Sequence, residues 1–280
     1  MATNSIRELK AAAIRGRQNV LRMIRAEGSG HLGPAFSCMD VVTALYFHTL
    51  RVDPKDPMKE DRDIFLLSAG HKAMAQYAVM AEMGYFDKSV LDTFGSFKSV
   101  IAGHPCMHLL PGVEANTGSL GHGILLGCGM ALGKRQDGLP SRVFVVTGDG
   151  ELAEGSNWEG AAAAAHYRLD NLCVIVDHNG LQISGSTRDV MNLDPIAEHF
   201  AGFGWAVREI NGNSMEEIVT ALDDVPFANG RPSVIVANTV KGCGYSRVAG
   251  KASCHHWSYT DEGYQEAMEE LNRALAEVEA

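Results

Sequence analysis

The chain lacks a Cys-x-x-Cys pair: its cysteines stand apart at Cys38, Cys106, Cys128, Cys173, Cys243 and Cys254. That spacing excludes a compact disulfide scaffold and a paired-cysteine zinc site, and it suits reduced thiols in a cytoplasmic protein. No uncharged apolar run approaches the ~20 residues needed to cross a bilayer, and the alanine-rich stretch Gly160 to Ala165 is far too short. Nor is there a block of Lys or Arg. With 24 basic against 34 acidic residues the formal charge is −10, so neither nucleic acid nor an anionic membrane is an expected partner. The Arg-rich opening, Met1 to Gly28, contains Glu8 and Glu27 and no apolar signal core, so it reads as a helix rather than a leader. Ser/Gly linkers, internal repeats and low-complexity tracts are missing as well, which leaves one domain over residues 1–280 as the expectation.

What is present is an alternation of two periods. Ile6, Leu9, Ala13, Gly16, Val20 and Met23 recur at helical spacing with Gly28 as the stop, and a second helix is expected from Lys72 to Met83, ended by Gly84. Ser37 followed by Asp40 reads as a helix-starting pair, Ser214 with Glu217 as a capping box, and Asp261 to Glu279 as the last helix. Between such stretches lie short apolar, β-branched runs: Ile64 to Leu67, Arg142 to Val146, Leu172 to Val176, Trp205 to Ile210 and Ser233 to Ala237. Strands alternating with helices imply an α/β fold with a parallel sheet and helices on both faces. The long irregular connection Phe94 to Leu120 is rich in Gly, His and Pro, and loops of that length inside a domain are usually functional.

Chemistry concentrates at the ends of two of these runs. Val143-Phe-Val-Val-Thr leads into Gly148-Asp149-Gly150-Glu151, and Leu172 to Asp177 leads into His178-Asn179-Gly180-Leu181. Ligands in open α/β sheets bind outside the carboxyl ends of strands. Glycines there let the main chain approach a diphosphate, and the start of the following helix offers unpaired N–H groups to an anion. A carboxylate, an amide oxygen, a main-chain carbonyl and phosphate oxygens together form the hard set that Mg²⁺ prefers. Gly-Asp-Gly alone is also an ordinary turn; its pairing with Asn at the end of a second apolar strand is what favours a ligand site. Histidines beside glycine, at Gly30-His31, Gly70-His71, Gly103-His104 and Gly121-His122, add groups suited to proton transfer and to hydrogen bonding of hydroxyls or phosphate.

Gly148-Asp149-Gly150 with Asn179 resembles the metal and diphosphate motif of thiamine diphosphate enzymes. Ser29-Gly30-His31-Leu-Gly33, Arg62-Asp-Ile-Phe-Leu-Leu-Ser68-Ala-Gly70-His71, Gly103-His104-Pro105 and Pro111 to Gly121 narrow the resemblance to the N-terminal domain of transketolase across most of the chain. The resemblance implies the thiamine diphosphate-binding fold, with Mg²⁺ or Ca²⁺ held by Asp149, Asn179 and the carbonyl of Leu181. It further implies cofactor contacts from His71, Gly118, Ser119, Leu120, Gly148, Asp149, Gly150, Glu151 and Asn179. His31, His71, His104 and His256 would surround the reacting centre, and Glu154 would stand at the interface between cofactor-binding domains. The chain departs from the family pattern at His122, where Gln is usual, and at His255-His256-Trp257, where one histidine is normally followed by Gly.

Full-length transketolases continue into a pyrimidine-binding domain and a C-terminal domain. The expectation is therefore a split enzyme, active only with a partner subunit that supplies both, in a two-plus-two heterotetramer transferring a two-carbon ketol unit from a ketose phosphate or related ketose to an aldose. Two alternatives are the cofactor subunit of a 2-oxo-acid dehydrogenase, whose pattern lacks the two Gly-His segments in this form, and a non-catalytic binding or regulatory subunit.

Overall fold

A computed structural model describes residues 4–183 and 185–280. The first helix, α1 (Ile6–Glu27), opens on a Ser5–Glu8 capping box and closes on Gly28, whose φ of 88° is the left-handed conformation that glycine adopts without strain. A two-residue strand, β1 (Ser29–Gly30), leads to α2 (Leu32–Ser37) and α3 (Met39–Ala44), followed by a π-helical turn, Leu45–Thr49. The expected helix start at Ser37 is not there. Ser37 ends α2, and its hydroxyl donates instead to the buried carboxylate of Asp177 at 2.6 Å.

Beyond a surface loop come β2 (Ile64–Leu67) and α4 (Ala73–Met83), and then residues 94–122 run without a regular element. The remaining elements in order are α5 (Gly123–Gln136), β3 (Val143–Gly148), α6 (Gly155–His166), β4 (Leu172–His178), α7 (Thr187–Val190), α8 (Ile196–Gly202), β5 (Ala206–Asn211), α9 (Met215–Asp223), β6 (Ser233–Asn238), β7 (Trp257–Ser258) and α10 (Asp261–Glu279). Ser214 caps α9 as expected by accepting from the Glu217 amide, but the Glu217 carboxylate reaches the Asn211 amide rather than returning to Ser214.

Five strands form a parallel sheet in the order β2-β3-β4-β6-β5. Because successive side chains point to opposite faces, each strand divides between two cores. Phe65, Leu67, Phe144, Val146, Cys173 and Ile175 meet α1 to α4 and α9, while Ile64, Leu66, Val143, Val145, Leu172 and Val174 meet α5, α6 and α8. Apolar residues on both faces explain why these runs read as continuous rather than alternating.

Two features of this frame place the site. Neighbours β3 and β4 are in register to their tips, with Gly148 opposite Asp177. Outside this sheet, β1 and β7 pair antiparallel, Gly30 opposite Trp257, which fastens residues 257–258 beside His31. That short ribbon has no periodic signature in the sequence.

Candidate active site

At the carboxyl edge of the sheet lies a cleft of about 400 Å³, lined by His31, His71, Lys72, Leu120, Gly148, Asp149, Gly150, Glu151, Asn179, Leu181, Gln182, Lys241 and His255, among others. The first turn after β3 and the first turn after β4 are tied together: Asp149 Oδ1 accepts from the Gly150 amide at 2.8 Å, and Oδ2 from the Gly180 amide at 2.6 Å. Asn179 Oδ1 accepts from the Leu181 amide at 3.1 Å, and its Nδ2 donates to Ser37 Oγ at 3.2 Å. The carbonyl of Leu181 accepts from Lys241 Nζ at 3.0 Å. The Gln182 side chain lies directly against Gly150, its Cγ 2.4 Å from where a Cβ would stand.

The electrostatics of this floor suit a bound cation. Asp149 is buried and has no cationic side chain paired with it among the described residues. Burial, followed by the neighbouring Asp177 carboxylate, raises its pKa. Beside it, Asp177 is held ionised: burial opposes the charge, but Lys72 at 2.5 Å and the hydroxyls of Ser37 and Thr239 more than compensate, and its pKa is lowered. The oxygens of Asp149, Asn179 and Leu181 form a hard donor set, and an ammonium already occupies the Leu181 carbonyl. These residues fit a divalent ion.

Glu151 lines the cleft, yet its carboxylate is occupied internally. It accepts from Ser68 and Thr147 hydroxyls and from the Gly121 and Gly148 amides, clamping the long loop to β3. Leu120 reaches the cleft; Ser119 opens instead into a separate cavity with His122 and Leu126. Gly118, at φ 129°, lies under His104, whose Cδ2 would be 2.6 Å from any Cβ there. Glu154 is exposed at the start of α6, outside the cleft lining.

The wall is a histidine cluster. The His31 ring lies 5.3 Å from His71, 5.4 Å from His255 and 5.0 Å from His256, and His71 lies 5.2 Å from His255. Of the final pair, His255 lines the cleft, whereas His256 packs on His31 from outside that lining. Burial, with His256, His104 and Lys241 nearby, pulls His31 down to about 4. Burial, Lys72 and His255 pull His71 to about 2, and burial with Lys241 pulls His255 to about 4. All three rings are therefore neutral near pH 7, able to accept or relay a proton. His255, Lys72, Lys241 and Gln182 line the cleft although no sequence motif singled them out as site residues, and Asp177 lies behind Lys72; His255 had a sequence signal as one of an adjacent pair.

Comparison with known proteins matches residues 8–274 to the transketolase thiamine diphosphate-binding domain. One subunit of the apulose-4-phosphate transketolase of Phocaeicola vulgatus is 39% identical over 98% of this chain and 97% of its own length. The 6-deoxy-6-sulfo-D-fructose transketolase subunit SqwG of a Clostridium species is 38% identical over 91% of this chain and 94% of its own. Transketolase from Campylobacter jejuni superposes with a TM-score of 0.88 at 29% identity, over 96% of this chain and 43% of that structure. The chain thus spans less than half the length of that solved transketolase, but nearly all of the two relatives named as subunits. It belongs to the transketolase family and carries that family's thiamine diphosphate-binding domain.

Proposed function

We propose that this chain is the cofactor-binding subunit of a split, cytoplasmic transketolase that transfers a two-carbon ketol unit from a ketose phosphate or related ketose to an aldose. The observation that carries the reading is the joined pair of strand tips, Asp149 and Asn179, beneath three neutral histidines, in a chain matching named transketolase subunits end to end. Thiamine diphosphate, when bound, supplies carbanion-stabilising chemistry. Asp149, Asn179 and the Leu181 carbonyl would hold Mg²⁺ or Ca²⁺. Among the described residues no three His, Cys, Asp or Glu side chains gather as a metal cage, which suits an ion whose remaining ligands arrive with the diphosphate.

His31, His71 and His255 take and return protons at the donor's hydroxyls, and their depressed basicity keeps them in the accepting form. His256, packed on His31, and His104, exposed nearby, tune it. Gly118 to Leu120 and Gly148 to Gly150 shape the main chain around the cofactor. Glu154, exposed at the start of α6, faces the partner subunit, which brings the pyrimidine-binding and C-terminal domains in a two-plus-two assembly. The whole of residues 1–280 serves as one cofactor-binding domain. Six free cysteines fit a reducing cytoplasm, and no described helix is long and apolar enough to cross a membrane.

The test is reconstitution. Mixed with the subunit encoded beside it, the chain should transfer ketol units from a ketose phosphate only when thiamine diphosphate and Mg²⁺ are present; full activity from the chain alone would refute the split.

A further inference from the structure

One buried cation in the cleft is unexplained by the roles above. The Lys72 side chain, immediately after His71, is 3% exposed and still lines the cleft. Its Nζ lies 2.5 Å from Asp177 Oδ2, and among the described residues it donates to no other side-chain or main-chain acceptor. An ammonium carries three N–H donors, so two are left to point elsewhere in a place where unsatisfied charge is costly. Asp177 does not need them all: Ser37 and Thr239 hydroxyls already donate to its Oδ1, and Asn179 Nδ2 approaches Oδ2 at 3.4 Å.

Gly148 shows where the ammonium stands. A Cβ built on that glycine would stand 3.4 Å from Lys72 Nζ, so the ammonium sits against the bare main chain where β3 enters the Gly-Asp-Gly turn. Lys241, the other buried lysine of the cleft, lines it from the far side of the chain's sequence and donates to the Leu181 carbonyl at 3.0 Å. Despite its burial Lys72 has a raised pKa, because Asp177 outweighs desolvation, and it stays charged. Two buried ammoniums lining one cleft give it the charge that a polyanion needs.

Building on the cofactor reading, we infer that Lys72 is a diphosphate ligand: a fixed positive charge that grips the phosphate end of the cofactor and leaves the cleft some affinity for a diphosphate when divalent metal is withheld. Asp177 is then a positioning residue that holds the ammonium in place.

The test is calorimetric titration of the full chain with its partner subunit, using thiamine diphosphate, unphosphorylated thiamine and inorganic pyrophosphate, each in Mg²⁺ and in EDTA. Wild type should retain detectable pyrophosphate binding in EDTA; its absence would overturn the inference whatever the variants do. Lys72→Met with Asp177→Asn removes both charges and so avoids stranding a buried carboxylate. It should melt like wild type, bind thiamine unchanged, and lose about ten- to a hundredfold in thiamine diphosphate affinity, with the larger deficit in EDTA. Lys72→Arg should recover most of that loss. Equal loss of thiamine and thiamine diphosphate, or no loss of either, would make Lys72 structural and overturn this assignment alone. A wild-type complex that fails to bind thiamine diphosphate in Mg²⁺ would overturn the cofactor reading itself.

Discussion

Two buried carboxylates at opposite ends of the central sheet, Asp63 and Asp149, are held in opposite ways. At the amino end Asp63, just ahead of β2, is fully buried and closed on all sides. The guanidiniums of Arg51 and Arg142 each donate at 2.7 Å, and the amides of the same two residues at 3.0 and 2.8 Å. Burial alone would raise its pKa, but the two arginines hold it below the usual carboxylate range. At the carboxyl end Asp149 is buried with only main-chain donors, its pKa raised by burial and by Asp177. Asp63 is paired with two arginines, whereas Asp149 has no cationic side chain paired with it among the described residues, the pattern expected of a carboxylate kept for a ligand.

The largest expected effects break the two ends apart. Asp149→Ala should cut ketol transfer by the reconstituted enzyme more than about a hundredfold, on the scale of losing a metal-site group. Its melting temperature should change little, since removing a buried carboxylate whose charge is opposed by burial offsets the loss of its two main-chain hydrogen bonds. Asp63→Ala should do the reverse, costing about 3 kcal/mol in denaturant unfolding, the low end for a broken buried pair because both guanidiniums are partly exposed. Activity per folded molecule should be retained. A stability loss at Asp149 equal to that at Asp63 would erase the distinction.

Within the carboxyl end, His255 and His256 can be separated. His255→Asn should lower kcat/KM by about a hundredfold, as expected for a positioned proton carrier. His256→Asn, outside the cleft lining, should cost less than about tenfold by the same scale. Equal losses would put both rings on the reacting atoms.

A further effect is a pH slope. His31, His71 and His255 have folded values of about 4, 2 and 4 against an ordinary 6.5, so below pH 6.5 the unfolded chain binds protons that the folded chain refuses. Stability contributed by the neutral rings is complete above pH 6.5 and declines as pH falls from there towards 4. Melting temperatures measured across this window should drop on acidification. His71→Asn should flatten the slope, while Asp63→Ala should not, because Asp63 titrates below the window in either state.

Much of the frame was legible in the residues, for physical reasons that also mark where legibility ends. The runs Ile64–Leu67, Val143–Gly148 and Leu172–His178 are buried on both faces, so their unbroken apolar character announced parallel strands. Gly148, Asp149 and Asn179 were legible as candidates because glycine beside a polar side chain at the end of a buried apolar strand stands out, and the structure brings all three to the lining of one cleft. Lys72 was not. A lysine at the start of an apolar helix looks like a solvated cap, and only the fold reveals Asp177, more than a hundred residues away, as its partner. The same holds for Ser37, whose hydroxyl serves Asp177 rather than a helix start, and for His255. Its place depends on a two-residue ribbon, Ser29–Gly30 with Trp257–Ser258, too short to leave a pattern.

The central claim is that one divalent ion sits where β3 and β4 end. Crystals of the chain with its partner subunit and thiamine diphosphate, grown with Mn²⁺ in place of Mg²⁺, would give an anomalous signal at the ion. The expected peak lies between the Asp149 carboxylate and the Asn179 side-chain oxygen, within bonding reach of the Leu181 carbonyl. Bound thiamine diphosphate with no peak at these strand tips, or a peak coordinated by other residues, would contradict the account.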